Sequence, residues 1–306
     1  MADWSAANTH RVEDWPLATL LAAKGDAQVS LVVPARNEAA TVGEIVARVR
    51  SSLMETARLV DEIVVIDSDS TDETAEVASS AGAAVFASSA IRPDLGTFPG
   101  KGEAMWKSLF VATGDLIVFM DADLEEWDTH FVPGLLGPLL MRPEIELVKG
   151  FYRRPGLHGL DGGRVTELMA RPLIALLFPE LAGLVQPLAG EWAVRRSLFE
   201  SLSVPIGYAV ELAALVDTAR ARGVEAIAQV DLGRRGHRHQ ELLDLGLMSM
   251  QILAAAARRA ELKTAADLDA QDAQIVLRQF LPSHDAIAST PKTVLVHERP
   301  PAKEMA

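Results

Sequence analysis

The chain has 306 residues, no cysteine, and 49% apolar residues. A chain of this length can bury a sizeable core without disulfides, and the lack of cysteine excludes thiolate metal sites and cysteine nucleophiles. The formal net charge is -13, and residues 1–150 hold 24 acidic but only 11 basic side chains. Nucleic-acid binding, which requires a basic surface, is therefore disfavoured.

No segment of the sequence is typical of export or membrane insertion. The N-terminal stretch MADWSAANTHRVEDW contains acids and no apolar run, unlike a signal peptide. The longest apolar stretch, residues 172–190, is interrupted by Pro179 and Glu180. We expect a cytoplasmic protein with no membrane partner, and we also expect a homodimer.

The first half alternates short β-branched runs with helical patterns, which predicts an α/β fold with a mostly parallel sheet flanked by helices. The predicted strands and helices, in chain order, are strand 29–34, helix 41–53, strand 62–67, helix 70–82, strand 84–87, helix 101–113, strand 115–120 and strand 145–151.

Beyond Phe151 the pattern becomes helix-rich. It includes a late strand at 227–232 and a helix at 242–260. This change divides the chain into halves at 1–150 and 151–306. From Pro282 the sequence predicts a tail that is mobile or packed on a partner.

Polar residues follow three of the predicted strands, at the edge where open parallel sheets bind ligands. They lie in the segments PARNE (34–38), DSDSTD (67–72) and DAD (121–123). Asp121 and Asp123 are two residues apart, so in an extended segment they point the same way and can bind one Mg²⁺ or Mn²⁺ ion. Ala122 leaves room for a bulky ligand. The alternative is a pair of solvated acids in a turn.

Five further features admit both a binding and a structural interpretation. Ser70 and Glu73 have the spacing of a capping box, which predicts a helix N-cap at Ser70, whereas Ser68 and Asp67 are candidate ligand contacts. Lys101 lies between Gly100 and Gly102 at a predicted helix start, which favours an anion site over a plain turn. Gly162 to Thr166 has the same character, and a basic run follows at 234–239. Glu191 and Glu211 are candidate site acids or first-turn acids.

Taken together, these segments resemble the GT-A glycosyltransferases and, within them, the actinobacterial glucosyl-3-phosphoglycerate synthase family. The resemblance spans residues 28–300 and rests on the segments VVPARNEAAT, DSDSTDET, PGKGEAMWKSL, FMDADL, LVKGFYRRP, GGRVTELMARPL, QPLAGEW, GYAVELAALVD and DLGRRGHRH. It implies a nucleotide-sugar-binding half (1–150) and a helix-rich acceptor-binding half (151–306). The implied reaction is the transfer of glucose, with retention, from UDP-glucose to the 2-hydroxyl of 3-phosphoglycerate. The implied cofactor is Mg²⁺ or Mn²⁺.

The resemblance also implies roles for individual residues. Donor contacts are expected from Pro34, Ala35, Arg36, Glu38, Ser68, Lys101, Asp121, Ala122, Asp123, Tyr208 and Glu211. Asp123 and His237 are the expected metal ligands, and Asp123 and Glu211 the expected catalytic residues. Acceptor contacts are expected from Gly163, Arg164, Val165, Thr166 and His239, and Arg235 is expected to add positive charge for the anionic acceptor.

Two alternatives remain open from the sequence. Arg36 departs from the family pattern beside the nucleoside base, and His239 and Gln240 depart from it in the basic run. A few relatives of the family use GDP-mannose to make mannosyl-3-phosphoglycerate, which is the alternative donor and product. A chain of another class, a non-catalytic nucleotide-sugar-binding module, would bind the donor without transferring the sugar.

Overall fold

The computed structural model describes residues 2–153, 163–236, 241–263, 274–283 and 286–305. Its helices are α1 (Ala2–Asn8), α2 (Leu17–Lys24), α3 (Val42–Val49), α4 (Thr74–Ala81), α5 (Lys101–Ser108), α6 (Phe131–Met141), α7 (Arg171–Leu177), α8 (Arg196–Phe199), α9 (Val210–Arg222) and α10 (Leu242–Arg259). None of the helices in these ranges has both the length and the apolar character needed to cross a membrane.

The strands are β1 (Thr9–Arg11), β2 (Val29–Ala35), β3 (Glu62–Asp67), β4 (Ala84–Ala87), β5 (Leu116–Phe119), β6 (Leu147–Arg153), β7 (Trp192–Arg195), β8 (Val204–Pro205), β9 (Ile227–Arg234), β10 (Gln274–Ser283), β11 (Ala286–Leu295) and β12 (Glu298–Arg299). An 8-stranded sheet has the order β1-β9-β6-β7-β5-β2-β3-β4. Neighbouring strands in it are parallel except that β7 is antiparallel to β5 and β6. The predicted α/β fold with a mostly parallel sheet is confirmed.

The central strands are apolar throughout because both faces of the sheet are covered. Leu31 and Val33 of β2 belong to one core cluster, whereas Val32 belongs to the cluster on the opposite face. A strand buried on both sides reads as a continuous apolar run rather than an alternating one. The polar residues that follow such runs are therefore concentrated at the sheet edge.

The sheet includes strands from both predicted halves. The division at 150/151 falls within β6, and β7 and β9 from the second half join strands of the first. The assignment of donor binding to one half and acceptor binding to the other stays a prediction.

The prediction of a mobile or partner-bound tail is wrong for its described residues. β11 pairs with β10 as an antiparallel hairpin, and β12 pairs with β8. Val294, Val296 and Ala302 are buried. These spaced apolar residues anchor a Pro- and Lys-rich sequence against the chain's own core, which composition alone does not indicate.

Candidate active site

The loops after β2 and β3 are bound to each other at the carboxyl edge of the sheet. Asn37, which has a positive φ of 56°, donates its amide to Ser70 Oγ (2.9 Å), and its side-chain oxygen accepts the amide of Thr71 (2.8 Å). The amide of Ser68 donates to the carbonyl of Ala35 (2.8 Å). These contacts place the expected nucleoside-binding residues Pro34, Ala35, Arg36, Glu38 and Ser68 in one loop pair.

The predicted N-cap at Ser70 is wrong. α4 begins at Thr74, and Asp72 Oδ1 accepts the Thr74 amide (3.1 Å). Ser70 instead hydrogen-bonds Asp67 and the loop after β2. The capping spacing was present, but the tertiary contact to Asn37 uses the serine hydroxyl.

A second group of charged residues lies at the end of β5. Lys101 Nζ is 2.5 Å from Asp121 Oδ1 and 2.6 Å from Glu211 Oε1, so one ammonium joins α5, the segment after β5 and α9. Burial alone would lower the pKa of Lys101, but the carboxylates of Asp121 and Glu211 raise it above its usual value. Lys101 is therefore a permanent cation between two carboxylates.

Asp121 needs a glycine beside it. A Cβ atom on Gly190 would lie 2.0 Å from Asp121 Oδ2, so a larger residue there would displace the carboxylate. On the other side, Thr41 Oγ1 donates to the carbonyl of Ala122 (2.6 Å). This bond connects the loop after β2 with the 121–123 segment and joins the two groups of expected donor residues.

Arg235 is the central cation of the acidic cluster. Its Nη2 donates to Asp121 Oδ2 (3.0 Å) and Asp123 Oδ1 (3.1 Å), and its Nη1 donates to Glu191 Oε2 (3.1 Å) and to the Tyr152 hydroxyl. The residue is 3% exposed. Here the guanidinium binds carboxylates of the chain itself, and its expected contact with the acceptor stays a prediction.

The charges in this cluster perturb its carboxyl groups in opposite directions. Burial would raise the pKa of Asp121, but Lys101 and Arg235 lower it well below its usual range. Burial and then the Asp121 charge raise the pKa of Asp123. Burial also raises the pKa of Glu191, against the lowering effect of Arg235. Carboxyl groups with divergent pKa values mark a candidate functional site.

The donor atoms fit a divalent cation. Carboxylate oxygens of Asp121 and Asp123 converge on a single nitrogen, Arg235 Nη2, so they can also converge on one metal ion. Hard oxygen ligands suit Mg²⁺ and Mn²⁺. Among the described residues, no group of three or more histidines and acids could hold a metal by itself. The expected further ligand, His237, lies outside the described residues, as does His239.

Tyr208 lies in the turn before α9, close to Glu211. Its amide donates to Gln251 Oε1 of α10 (2.9 Å), and its side chain is 45% exposed. A half-exposed aromatic ring beside the Lys101 cluster is available to a ligand, and its expected donor contact stays a prediction.

The expected acceptor segment begins where the described chain resumes. Gly163 accepts the amide of Glu167 (3.0 Å), Val165 and Thr166 are buried, and Arg164 is exposed. Val165 therefore contributes to the core, and its expected acceptor contact stays a prediction.

Sequence reasoning named Glu191 as a candidate site acid without linking it to Arg235, and it missed Tyr152. Glu191 is fully buried, and its Oε1 has no hydrogen-bond partner among the described residues, nor has Arg235 Nε. Tyr152 lies at the end of β6 and accepts a bond from Arg235. The position of Glu191 directly after Gly190 was the available signal, but nothing local linked it to Arg235.

Comparison with known proteins agrees with this geometry. The model of glycosyl transferase family 2 matches residues 30–200. The glucosyl-3-phosphoglycerate synthase of Mycolicibacterium smegmatis is 44% identical over 303 residues, covering 97% of this chain and 96% of the relative.

Two solved structures are similar over nearly the whole chain. The Mycobacterium tuberculosis glucosyl-3-phosphoglycerate synthase in complex with Mn²⁺, UDP and phosphoglyceric acid has a TM-score of 0.86 at 42% identity, covering 95% of this chain and 96% of that one. The same enzyme with Mn²⁺ and UDP-glucose also has a TM-score of 0.86 at 42% identity, with coverages of 97% and 98%.

Proposed function

The chain belongs to glycosyl transferase family 2 and, within it, to the glucosyl-3-phosphoglycerate synthases, and from this membership we propose that it transfers glucose from UDP-glucose to the 2-hydroxyl of 3-phosphoglycerate. The observation that carries the proposal is the position of Lys101 between Asp121 and Glu211, beside Asp123, at the carboxyl edge of the sheet. This is the edge at which open α/β sheets bind nucleotides.

The donor lies across the loop pair after β2 and β3 and the charged group at the end of β5. The uridine is held by Pro34, Ala35, Arg36, Glu38 and Ser68 at the ends of β2 and β3. The glucose lies toward Lys101, Tyr208 and Glu211, where charged groups can bind its hydroxyls. UDP-glucose is favoured over GDP-mannose because a relative at 44% identity is named a glucosyl synthase and the similar Mycobacterium tuberculosis enzyme has been solved in complex with UDP-glucose.

Asp123 and His237 would hold the divalent cation, with Asp121 beside them. When bound, the cation neutralises the charge that develops on the leaving diphosphate. Arg235 keeps the carboxylates of Asp121 and Asp123 convergent, which prepares the oxygen ligands. Glu191, bound to the other side of the guanidinium, fixes its orientation.

Transfer proceeds with retention by attack on the face from which UDP leaves. The bond between the anomeric carbon and the diphosphate oxygen breaks as the bond to the glycerate oxygen forms, and the hydroxyl proton passes to the departing phosphate oxygen. A double displacement would require a free carboxylate nucleophile. Asp121 and Glu211 are both paired with Lys101, so Glu211 orients the sugar instead.

The acceptor is an anion that must enter an acidic protein. Gly163, Arg164, Val165 and Thr166 form its site, with His239 and the positive field of Arg235. The guanidinium of Arg164 suits a phosphate or carboxylate because its planar fork can donate two parallel bonds.

The test is phosphoglycerate-dependent release of UDP from UDP-glucose, with GDP-glucose and GDP-mannose as alternative donors. We expect release only when Mg²⁺ or Mn²⁺ and 3-phosphoglycerate are both present, and a product whose anomeric coupling constant by NMR is that of the α-glucoside. Donor binding without release would favour the non-catalytic module, and preference for GDP-mannose would reassign the donor.

We also infer a cytoplasmic homodimer. The location follows from the proposed substrates, which are metabolites of the cell interior. Dimerisation is supported by exposed apolar side chains on α10 and β10, namely Leu242, Leu253 and Val276. Light scattering tests the oligomeric state, with a monomeric mass as the contrary result.

A further inference from the structure

The C-terminal segment, residues 296–301, is integrated into the fold near the donor site. Its strand β12 pairs with β8, Glu298 opposite Pro205 and Arg299 opposite Val204. The amide of Ile206 donates to the carbonyl of His297 (3.2 Å). Arg299 is 5% exposed. The segment is thus a buried neighbour of the turn that leads into α9.

Arg299 binds the start of α5 through a buried carboxylate. Its Nε donates to Glu103 Oε2 (2.7 Å) and its Nη2 to Glu103 Oε1 (2.6 Å), a two-point ion pair. Its remaining donors reach the carbonyls of Leu95 (2.7 Å) and Gly96 (3.0 Å). The guanidinium therefore fixes both the first turn of α5 and the loop before it.

The same turn of α5 is bound to the turn before α9. The amides of Gly102 and Glu103 donate to the carbonyls of Gly207 (3.2 Å) and Ile206 (2.9 Å). A Cβ atom on Gly102 would lie 1.8 Å from the Pro205 carbonyl, so the two backbones are in close contact. The C-terminal segment holds both partners, α5 through Arg299 and β8 through the β12 pairing.

The two elements joined in this way carry the two ends of the ion pair at the site. Lys101 lies two residues before Glu103, and Glu211 lies in the first turn of α9. We propose that Arg299 is a positioning residue for the donor site: through Glu103 it fixes α5 so that the Lys101 ammonium lies between Asp121 and Glu211. The inference rests on the proposed function, since it takes the Lys101 cluster as part of the UDP-glucose site.

The first test replaces the planar guanidinium of Arg299 while keeping its positive charge. Arg299→Lys cannot bind both Glu103 oxygens and both carbonyls, because lysine is a point donor. We expect the Kd for UDP-glucose with Mn²⁺, measured calorimetrically, to rise about tenfold, as for loss of one charge-assisted hydrogen bond. The KM for 3-phosphoglycerate should not change. Glu103→Gln, which removes the charge from the other partner, should act in the same direction.

Arg195→Lys is the matched control. Arg195 also donates to backbone carbonyls, Ile145 (2.9 Å) and Leu139 (2.7 Å), but it contacts neither α5 nor α9 through these bonds. It lies at the opposite end of the sheet from Asp121, paired with Leu116. Urea unfolding of both variants compares their stability. If donor affinity falls in both Arg299→Lys and Arg195→Lys in proportion to their loss of stability, the proposal is overturned.

A double-mutant cycle decides whether Arg299 acts through Lys101. In a Lys101→Ala background, Arg299→Lys should cause no further loss of donor affinity. Additive losses would overturn the positioning role, as would unchanged affinity in both Arg299→Lys and Glu103→Gln. Failure of the wild-type chain to bind UDP-glucose would instead overturn the proposed function and this inference with it, so the two failures are distinguishable.

Discussion

Lys101 and Glu211 lie 110 residues apart in the sequence, yet Lys101 Nζ is 2.6 Å from Glu211 Oε1. Glu211 is 5% exposed, so its carboxylate is desolvated and relies on the ammonium for compensation. Asp121 competes for the same ammonium at 2.5 Å. Two carboxylates therefore share one ammonium, which leaves a net negative charge beside the proposed sugar site. Their oxygens can accept hydrogen bonds from the sugar hydroxyls.

The first prediction concerns Glu211→Gln. The amide retains the shape of the side chain but loses the charge, while Asp121 keeps Lys101 compensated. We expect turnover of UDP-glucose to fall roughly 10- to 150-fold, the effect of about 1.5–3 kcal/mol from one charge-assisted hydrogen bond. Steady-state UDP release measures it. Glu225→Gln, at an exposed position beyond the other end of α9, is the control and should keep full turnover.

The second prediction concerns Asp123→Ala. Because Asp123 follows β5 and contacts Arg235 at the cluster surface, its removal should leave the fold intact while abolishing turnover. Manganese electron paramagnetic resonance should show loss of bound Mn²⁺. Asp128→Asn is the control, since Asp128 pairs with Arg48 at 2.8 Å on the exposed side of the same loop. Near wild-type turnover by Asp123→Ala would refute the metal assignment.

Much of this site could be anticipated from local pattern. The apolar runs of β2, β3 and β5 identify buried parallel strands, and the acids after them fall at the ligand-binding edge because the topology requires it. Asp121 and Asp123 do reach one nitrogen, Arg235 Nη2, although residues 122–123 form a turn rather than the extended segment that the spacing argument assumed. These inferences depend on neighbours in sequence.

The remaining features depend on partners that are distant in sequence. β7 is four residues long and antiparallel, so it departs from the alternating pattern of the first half. Arg235 reaches Asp121 across 114 positions and Glu191 across 44. Ser70 has the right spacing to cap a helix, but its hydroxyl oxygen instead accepts a hydrogen bond from the Asn37 amide. No local rule specifies such contacts.

The third prediction is a pH dependence of stability due to Lys149. The residue is buried in β6 and donates to the Ala189 carbonyl. Burial lowers its pKa from 10.5 to about 8, despite the nearby Glu211 charge. Between about 8 and 10.5 the folded chain therefore binds fewer protons than the unfolded chain, so this group makes stability rise with pH across that window.

Comparison with Lys149→Met isolates that contribution. The difference in the free energy of unfolding between the wild type and the variant should increase by on the order of 3 kcal/mol from pH 8 to 10.5, at 1.36 kcal/mol per unit of pKa shift. Urea unfolding at several pH values measures the difference, in which other titrating groups cancel. Parallel pH profiles for the two proteins would show that Lys149 has an ordinary pKa.

The fourth prediction separates acceptor binding from donor binding through Arg164. Arg164 is exposed at the start of the helical segment that contains Val165 and Thr166, whereas the donor site is built around Lys101. Arg164→Ala should raise the KM for 3-phosphoglycerate about 10- to 150-fold, since it removes a charge-assisted contact worth roughly 1.5–3 kcal/mol. The Kd for UDP-glucose, measured calorimetrically without acceptor, should stay within experimental error.

Arg171→Ala is the control for this fourth prediction, because it removes the same side chain from the same helical region. Arg171 binds Glu167 (2.8 Å) and the carbonyl of Val185 (2.5 Å), so its loss affects stability rather than an incoming anion. It should leave the KM for 3-phosphoglycerate close to that of the wild type. If Arg164→Ala weakens both substrates equally, or neither, Arg164 does not belong to the acceptor site, and the cation that receives the acceptor's phosphate must be sought elsewhere in the basic run at 234–239.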